Sequence, residues 1–504
     1  MSEPSLPALS RSLLGKLHGR GRGDVELPPA AVLSAPETIL QIGSGGFLRG
    51  FVEDFVQLAS ENGGWAGRVV SVQRRPDRRS EALIRQNGLY TLILRGIQSG
   101  RATEQKRIIA SLSRSLSAEN DWDKVIAMVE RPSTRVIISN VTEAGLAPGS
   151  SDSLADKPPL SFPGKLTQML WQRWRARGPE DTDLAVIPCE LVENNGAELR
   201  ILIREQGHAW HLPAEFFEWL GRSIHFANTL VDRIVAGAPP PEKLESEWQR
   251  LGYRDDLIVC AEPFALFALE ADEFVRKHFP IGGASAGIRF VDDLTPYRVK
   301  KVRILNGAHT VMAALGRLLG LGRVREAIED AQLGKFIENT IFQEVIPSTA
   351  IDQEAQDAQY GRETLGRFRN PSIEHRLISI CANCSTKVGI RLFPSIRNCM
   401  EQRGILPRRL LFGVAAVLLL LRDSEVEDSH LEQVREMWVQ VDYRSPDSVV
   451  IFAQEILAKQ MEWSSEQIDL PAAAQQVAAF LMTIREQGLR PAMESCFDRI
   501  TFNG

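Results

Sequence analysis

The sequence predicts an α/β protein, with an N-terminal domain of alternating strands and helices packed on a mainly α-helical C-terminal domain. Three observations carry this reading. The short apolar run Thr38-Ile-Leu-Gln-Ile42 leads directly into Gly43-Ser-Gly45-Gly46, and apolar residues then recur at helical spacing over 51–58. Further apolar runs stand at 68–72, 135–139 and 185–188, with a helical stretch over 122–129. From about Leu199 helical spacing dominates as far as the C-terminus. Alternation of the first kind argues for a parallel sheet covered on both faces.

Residues 1–36 are basic, rich in Gly and Pro, and poor in aromatics. Arg11, Lys16, Arg20 and Arg22 give a faint transit-peptide character, but no cleavage pattern or sustained amphipathic helix supports it. A flexible arm outside the fold is expected.

The strand at 38–42, the glycines and the following helix form the layout that brings backbone N–H groups up to a dinucleotide pyrophosphate. Gly43, Gly45 and Gly46 let the backbone approach without a Cβ in the way. Leu48 stands where G-x-G-x-x-G has its third glycine, so the match is partial, and an ordinary strand-to-helix turn would use the same residues. A Rossmann-like domain over 37–198 is expected, with a cofactor such as NAD.

Asn140, Thr142 and Glu143 follow the 135–139 strand, where a parallel sheet presents residues to a cofactor. A turn and helix N-cap is the plainer alternative there. At the end of the 68–72 strand Gln73 replaces the usual acid, and Arg74, Arg75, Arg78 and Arg79 follow. These suit a 2′-phosphate or a solvated basic loop, so NADP stays open beside NAD.

The second part, 199–504, is expected to be a helical substrate-binding domain. Helices are expected over 213–222, 242–251, 262–278 and 302–319, with one isolated strand at 288–291 returning to the first domain's sheet. Pro347, Pro371, Pro394, Pro407, Pro446 and Pro471 mark breaks. The apolar run 410–421 falls short of the roughly 20 residues that cross a bilayer, so it reads as a buried helix.

Hydrophobic residues at 44% and charged residues at 24% are ordinary for a globular protein, and a formal charge of −5 gives no support for nucleic-acid binding. Six scattered cysteines suit a reducing compartment such as the cytoplasm. Cys381-Ala-Asn-Cys384 is a lone C-x-x-C, better read as two half-buried helical thiols than as a zinc or redox site. A small-molecule partner is expected, in a monomer or a small homo-oligomer.

The segment Lys301-Val-Arg-Ile-Leu-Asn306-Gly-Ala-His309 carries the chemistry. On an α-helix its Lys, Asn and His fall at about 0°, 140° and 80°, facing one cavity. A lysine can exchange a proton with a hydroxyl, an asparagine NH2 can polarise a carbonyl oxygen, and a histidine can orient a hydroxyl. That set suits alcohol–ketone interconversion without a metal. A free lysine titrates near about 10.4, so base chemistry at neutral pH needs partial burial or neighbouring cations such as Lys300 and Arg303.

These motifs together closely resemble the mannitol dehydrogenase family of polyol-specific long-chain dehydrogenases. The family's K-x-x-x-x-N-x-x-H is matched by Lys301, Asn306 and His309, and its G-x-G-x-F-x-R turn by Gly43, Gly45, Phe47 and Arg49. Its V-D-R signature is matched by Val231, Asp232 and Arg233, although Ala236 replaces the usual Pro or Ser. A uronate branch of the family is suggested by Pro188-Cys-Glu190-Leu191, Asn195-Gly196, Pro296-Tyr297, Asn306-Gly-Ala-His-Thr310 and Gly366-Arg-Phe-Arg-Asn-Pro371. Mannitol dehydrogenases place an asparagine, as second donor to the substrate oxygen, where this chain has Leu191. That role then falls to Asn194, Asn195 or His309.

The resemblance implies NADH-dependent reduction of D-tagaturonate to D-altronate, with Lys301 as acid, Asn306 on the oxygen and His309 on a substrate hydroxyl. Fructuronate or mannitol-type polyols are the alternatives within the family, and a nucleotide-binding regulator without catalysis is the one outside it. Asn195, Asp232, Arg233 and Lys387 are candidate substrate residues. A sugar-acid carboxylate needs a cation, for which Arg233, Arg367, Arg369 and Lys387 are candidates. Asp232 and Arg233 could equally pair with each other at a helix end.

Overall fold

A computed structural model describes residues 6–20, 24–63, 65–98, 100–146, 151–178, 183–349, 354–423 and 426–497. The chain forms two compact units, one of Met1–Gly96 with Ala102–Leu294, the other of Ile97–Arg101 with Thr295–Gly504.

The first unit is built on a six-stranded parallel sheet of β1 (Glu37–Ile42), β2 (Arg68–Gln73), β3 (Leu112–Ser117), β4 (Val136–Ser139), β5 (Leu184–Pro188) and β6 (Ile224–Phe226), in the spatial order 3-2-1-4-5-6. This is the strand order of dinucleotide-binding Rossmann folds. The strands read as continuous apolar runs because both faces are covered. Ile39, Val69, Val136, Ile138, Ala185 and Ile187 enter one core, while Leu40, Val70, Val72, Ile137, Leu184 and Val186 enter the other. The expected strands at 38–42, 68–72, 135–139 and 185–188 and the helix at 122–129 are all present.

The boundary lies further along than expected. Residues 199–294 were expected in the helical domain, yet they belong to the first unit. They supply β6, and they supply Asn228–Asp232, Leu266–Glu270 and Ile288–Val291, which form a separate three-stranded sheet. The strand at 288–291 therefore exists but pairs with Leu266–Glu270 rather than joining the large sheet. The helix expected over 262–278 is instead that strand followed by the helix Glu273–His278. Its apolar run pairs in register with Asn228–Asp232, which tertiary context decides and periodicity does not.

The N-terminal arm is also ordered wherever it is described. Arg11–Arg20 and Ala30–Ser34 are helical, and Val25–Glu26 pairs in parallel with Lys106 and Arg107. Leu9, Leu14 and Val32 are buried in one cluster with Ile93, Ile108, Tyr253 and Ile258. The leucines outweigh the basic, glycine-rich composition that suggested disorder.

The second unit is helical as expected. Its helix Arg408–Asp423 buries every residue from Arg409 to Leu421, and a Cβ on Gly413 would lie 2.7 Å from Val311 of the helix Ala308–Leu318. Pro394 does not break the chain as expected but sits inside the helix Cys384–Arg403. Among the described residues no helix is long and apolar enough to cross a membrane.

Candidate active site

The first unit offers a nucleotide turn. Gly43 follows β1 with φ of 114°, donates its N–H to Val72 O at 2.8 Å, and would bring a Cβ to 3.3 Å from Leu48 Cδ1. Only glycine takes that backbone without strain. Gly45 caps the short helix Gly46–Gly50, after which the chain kinks at Phe51 and continues as Val52–Glu61. Gly50 does the close packing that the absent third glycine would do, since a Cβ there would lie 3.0 Å from both Val235 and Val259. Phe47 stacks on Phe51 with centroids 4.9 Å apart.

Arg49 was a cofactor-contact candidate, but its guanidinium is buried beneath the turn. Its Nη1 donates to Leu257 O at 2.7 Å, its Nε to Ser44 O at 3.3 Å, and it lies over the Tyr90 ring. It holds the turn from behind. Gln41 assists from β1, donating through Nε2 to Gly43 O at 2.9 Å and to the buried Glu53 carboxyl at 2.8 Å. Burial pushes the Glu53 carboxyl up.

Beside the turn lies a cavity of about 480 Å³ whose lining includes Gly43, Gln73, Arg74, Trp122, Thr142 and Lys165. Gln73 accepts from Ser44 Oγ at 3.0 Å, while its buried Nε2 has no hydrogen-bond partner. Lys165 donates to Leu160 O at 2.6 Å, and burial lowers its ammonium. The glycine cradle, the orphaned amide donor and the two cations fit the ribose and phosphates of an adenine dinucleotide. Asn140 reaches instead from the end of β4 to Cys189 O, at 2.7 Å. The backbone of Glu143 opens a short 3-10 turn, and its side chain lies outside the described residues.

Two substrate candidates in this unit have other employment. Asn195 is fully buried; its Nδ2 donates to Pro188 O, Glu190 O and Thr229 Oγ1, and its Oδ1 accepts from the Thr229 N–H. No donor is left for a substrate oxygen. Arg233 pairs with the buried Asp54 at 2.8 Å and donates to Gly50 O at 2.8 Å, so it joins a strand end to the helix Val52–Glu61 rather than to Asp232 at a helix end. Asp232 is buried as the last residue of Asn228–Asp232. Leu191 is 69% exposed.

In the second unit the Lys301 segment is not α-helical. Lys301–Gly307 is a π-helical turn running into the α-helix Ala308–Leu318. Bonding from i to i+5 widens the turn to more than four residues, so residues five apart stand roughly 50–80° apart instead of about 140°. Lys301 and Asn306 are therefore closer in bearing than the α-helical expectation placed them, and both are half-buried. The Thr310 hydroxyl donates to Asn306 O at 3.0 Å, satisfying a carbonyl at the end of the wide turn. His309 is buried, its ring 4.3 Å from Phe368 and 5.1 Å, edge-on, from His375. Phe368 belongs to the Gly366–Pro371 motif, which thus acts on the site through packing. Burial lowers the His375 imidazole.

The neighbouring cations are engaged elsewhere. Lys300 pairs with the buried Asp357 at 3.0 Å, and Arg303 donates to Ser348 O at 3.3 Å. Arg369 is exposed and Arg367 buried. Lys387 donates to Ile380 O at 3.2 Å and to Ala382 O, and burial together with Arg391 lowers its ammonium. Arg391, one turn along the same helix, donates from Nη1 to Thr310 Oγ1 at 3.1 Å. Sequence reading missed Arg391, for which no motif gave a signal; Thr310 stood only as the end of the Asn306–Thr310 motif, with no role assigned to it. Cys381 and Cys384 are buried free thiols, and burial raises both, Cys381 to about 11.

Comparison with known proteins agrees with both halves. Residues 37–283 match the Mannitol dehydrogenase Rossmann domain and residues 293–485 the Mannitol dehydrogenase C-terminal domain. The altronate oxidoreductase of Bacillus subtilis (strain 168) is 38% identical over 463 residues, covering 91% of this chain and 95% of that protein. That of Pectobacterium carotovorum subsp. carotovorum (strain PC1) is 35% identical over 474 residues, covering 91% and 96%. Among solved structures, a Pseudomonas fluorescens mannitol 2-dehydrogenase ternary complex with NAD and D-mannitol aligns with TM-score 0.72 at 24% identity, covering 98% of this chain and all of the other. A substrate-free D-sorbitol dehydrogenase aligns with TM-score 0.79 at 22% identity, covering 96% and 100%. With both domains matched in order and relatives of this identity over nine-tenths of its length, the chain belongs to the mannitol dehydrogenase family.

Proposed function

We propose that this chain is an NAD(H)-dependent oxidoreductase that interconverts D-tagaturonate and D-altronate, with Lys301 exchanging a proton with the substrate oxygen. The broader statement, a dehydrogenase acting on CH–OH groups of polyols or sugar acids, rests on the family and on relatives named altronate oxidoreductase. The observation that carries the finer reading is the π-helical turn, which brings Lys301 and Asn306 nearer in bearing than an α-helix would.

In reduction the Lys301 ammonium gives its proton to the carbonyl oxygen, and in oxidation the neutral amine takes it back. Such help is typically worth about 10²–10⁴ in rate. The Asn306 NH2 hydrogen-bonds the same oxygen while it gains negative charge, which a fixed donor stabilises best. His309, braced by Phe368 and His375, orients a substrate hydroxyl. A bound nicotinamide supplies or accepts the hydride. Gln73, Arg74 and Lys165 would hold the adenosine end of the dinucleotide in their cavity. The turn around Gly43 would take the pyrophosphate.

A steady-state panel of D-tagaturonate, D-fructuronate, D-fructose and D-mannitol with both cofactors in the matching oxidation state tests this reading. The expected result is the highest kcat/KM with D-tagaturonate and NADH. A preference for the uncharged sugars would remove the sugar-acid assignment and leave a polyol dehydrogenase.

A further inference from the structure

A sugar acid brings a carboxylate, and taking it out of water requires a cation that is not already neutralised. Of the cations considered from sequence, Arg233 is paired with Asp54, Arg369 is exposed, and the Lys387 ammonium donates to two backbone carbonyls.

Arg391 differs from all three. It sits on the helix Cys384–Arg403, whose backbone presses on the π-helical turn; a Cβ on Gly307 would lie 3.3 Å from Arg391 O. Its guanidinium donates to Thr310 Oγ1 at 3.1 Å, and the Thr310 hydroxyl donates onward to Asn306 O at 3.0 Å. The guanidinium is thereby fixed one helical turn from the proposed oxyanion donor. A guanidinium has five N–H donors, and a single side-chain contact uses one of them. Among the described residues no Asp or Glu lies within ion-pair distance of it. Burial alone lowers Arg391 to about 10, with no acid acting against it. A half-buried arginine held in place by a neutral hydroxyl is a costly arrangement unless an anion arrives to complete it.

We propose that Arg391 binds the substrate carboxylate and sets the preference for sugar acids over uncharged ketoses. The proposal rests on the sugar-acid reading of this same site. The planar fork matches a carboxylate in two parallel hydrogen bonds, which a lysine cannot reproduce. Lys387, one turn away, adds positive charge without that geometry.

The test compares wild type, Arg391→Gln and Arg391→Lys on D-tagaturonate and on D-tagatose, its uncharged counterpart. NADH affinity and thermal melting serve as controls for folding. Arg391→Gln is expected to lower kcat/KM for D-tagaturonate on the order of 100-fold. The value for D-tagatose should change by less than about threefold. Arg391→Lys, which keeps the charge and loses the fork, should fall between the other two. Equal losses on both sugars, or an unchanged value for D-tagaturonate, would overturn the role of Arg391. A wild-type preference for D-tagatose would instead overturn the sugar-acid reading itself, so the two failures are separable. Should Arg391→Gln not fold, the Arg391→Lys ratio between the two substrates decides alone.

Discussion

Asn306 stands five residues beyond Lys301 within a π-helical turn, which brings the two residues closer in bearing than an α-helix would. The wide turn leaves Asn306 O to the Thr310 hydroxyl at 3.0 Å, and Arg391 takes that hydroxyl's lone pair. The proposed proton donor and oxygen-binding amide share this turn, and Arg391 joins it from the helix Cys384–Arg403 through Thr310.

If Asn306 stabilises developing charge, Asn306→Ala should lower kcat about 10²–10³-fold with little change in NADH affinity. Thr310→Val, which keeps shape and removes the hydroxyl, should cost only about 0.5–1.5 kcal/mol of stability and a smaller part of kcat. Steady-state kinetics and chemical denaturation of both variants check this. A normal kcat in Asn306→Ala would remove the amide from the mechanism.

Gly43 tests the nucleotide turn. At φ of 114° and with Leu48 Cδ1 3.3 Å from a built Cβ, Gly43→Ala must strain or move the loop. A stability loss of about 1–3 kcal/mol is expected, with weaker NADH binding in a fluorescence titration. Unaltered NADH affinity in a folded Gly43→Ala would place the pyrophosphate elsewhere.

The Arg233–Asp54 pair separates structural from substrate charge. Both side chains are buried, at 4% and 1% exposure, and Arg233→Ala leaves the Asp54 carboxylate to Arg107 alone, at 3.1 Å, so the fold should lose about 1–3 kcal/mol. Substrate KM in the protein that remains folded should not rise selectively for sugar acids. A selective KM effect with normal stability would return Arg233 to the substrate site.

Glu37, at the start of β1, is held down to about 2 from 4.5, first by its hydrogen bond from Arg114 and then by Ser113 and the nearby cations. A depressed carboxyl stabilises the fold fully above its unfolded value and loses that contribution as pH falls through its folded value. The contribution is therefore present above about 4.5 and fades toward about 2. Arg114→Ala should lower the melting temperature at pH 7 by more than at pH 3, as calorimetry can show. An equal effect at both would contradict the linkage.

Much of the first unit was legible because β1, β2, β4 and β5 are buried on both faces and need unbroken apolar runs. The strands Asn228–Asp232 and Leu266–Glu270 were not, since their short mixed runs become strands only by pairing with each other. That oversight moved the domain boundary from 198 to 294. Lys301, Asn306 and His309 were visible through their spacing, but seven residues cannot distinguish i+4 from i+5 bonding, so the π turn was not. Arg233 looked available because Asp54, its partner, lies 179 positions away. Arg391 went unnoticed among the apolar residues of its helix, where its meaning depends on Thr310, 81 positions earlier.

The most direct test of the account is the turnover of D-tagaturonate with saturating NADH by Lys301→Ala, with and without added primary amines. The rate should fall about 10²–10⁴-fold while NADH still binds, and small amines should restore part of it in proportion to their basicity. A Lys301→Ala protein that turns over at the wild-type rate would contradict the account at its centre.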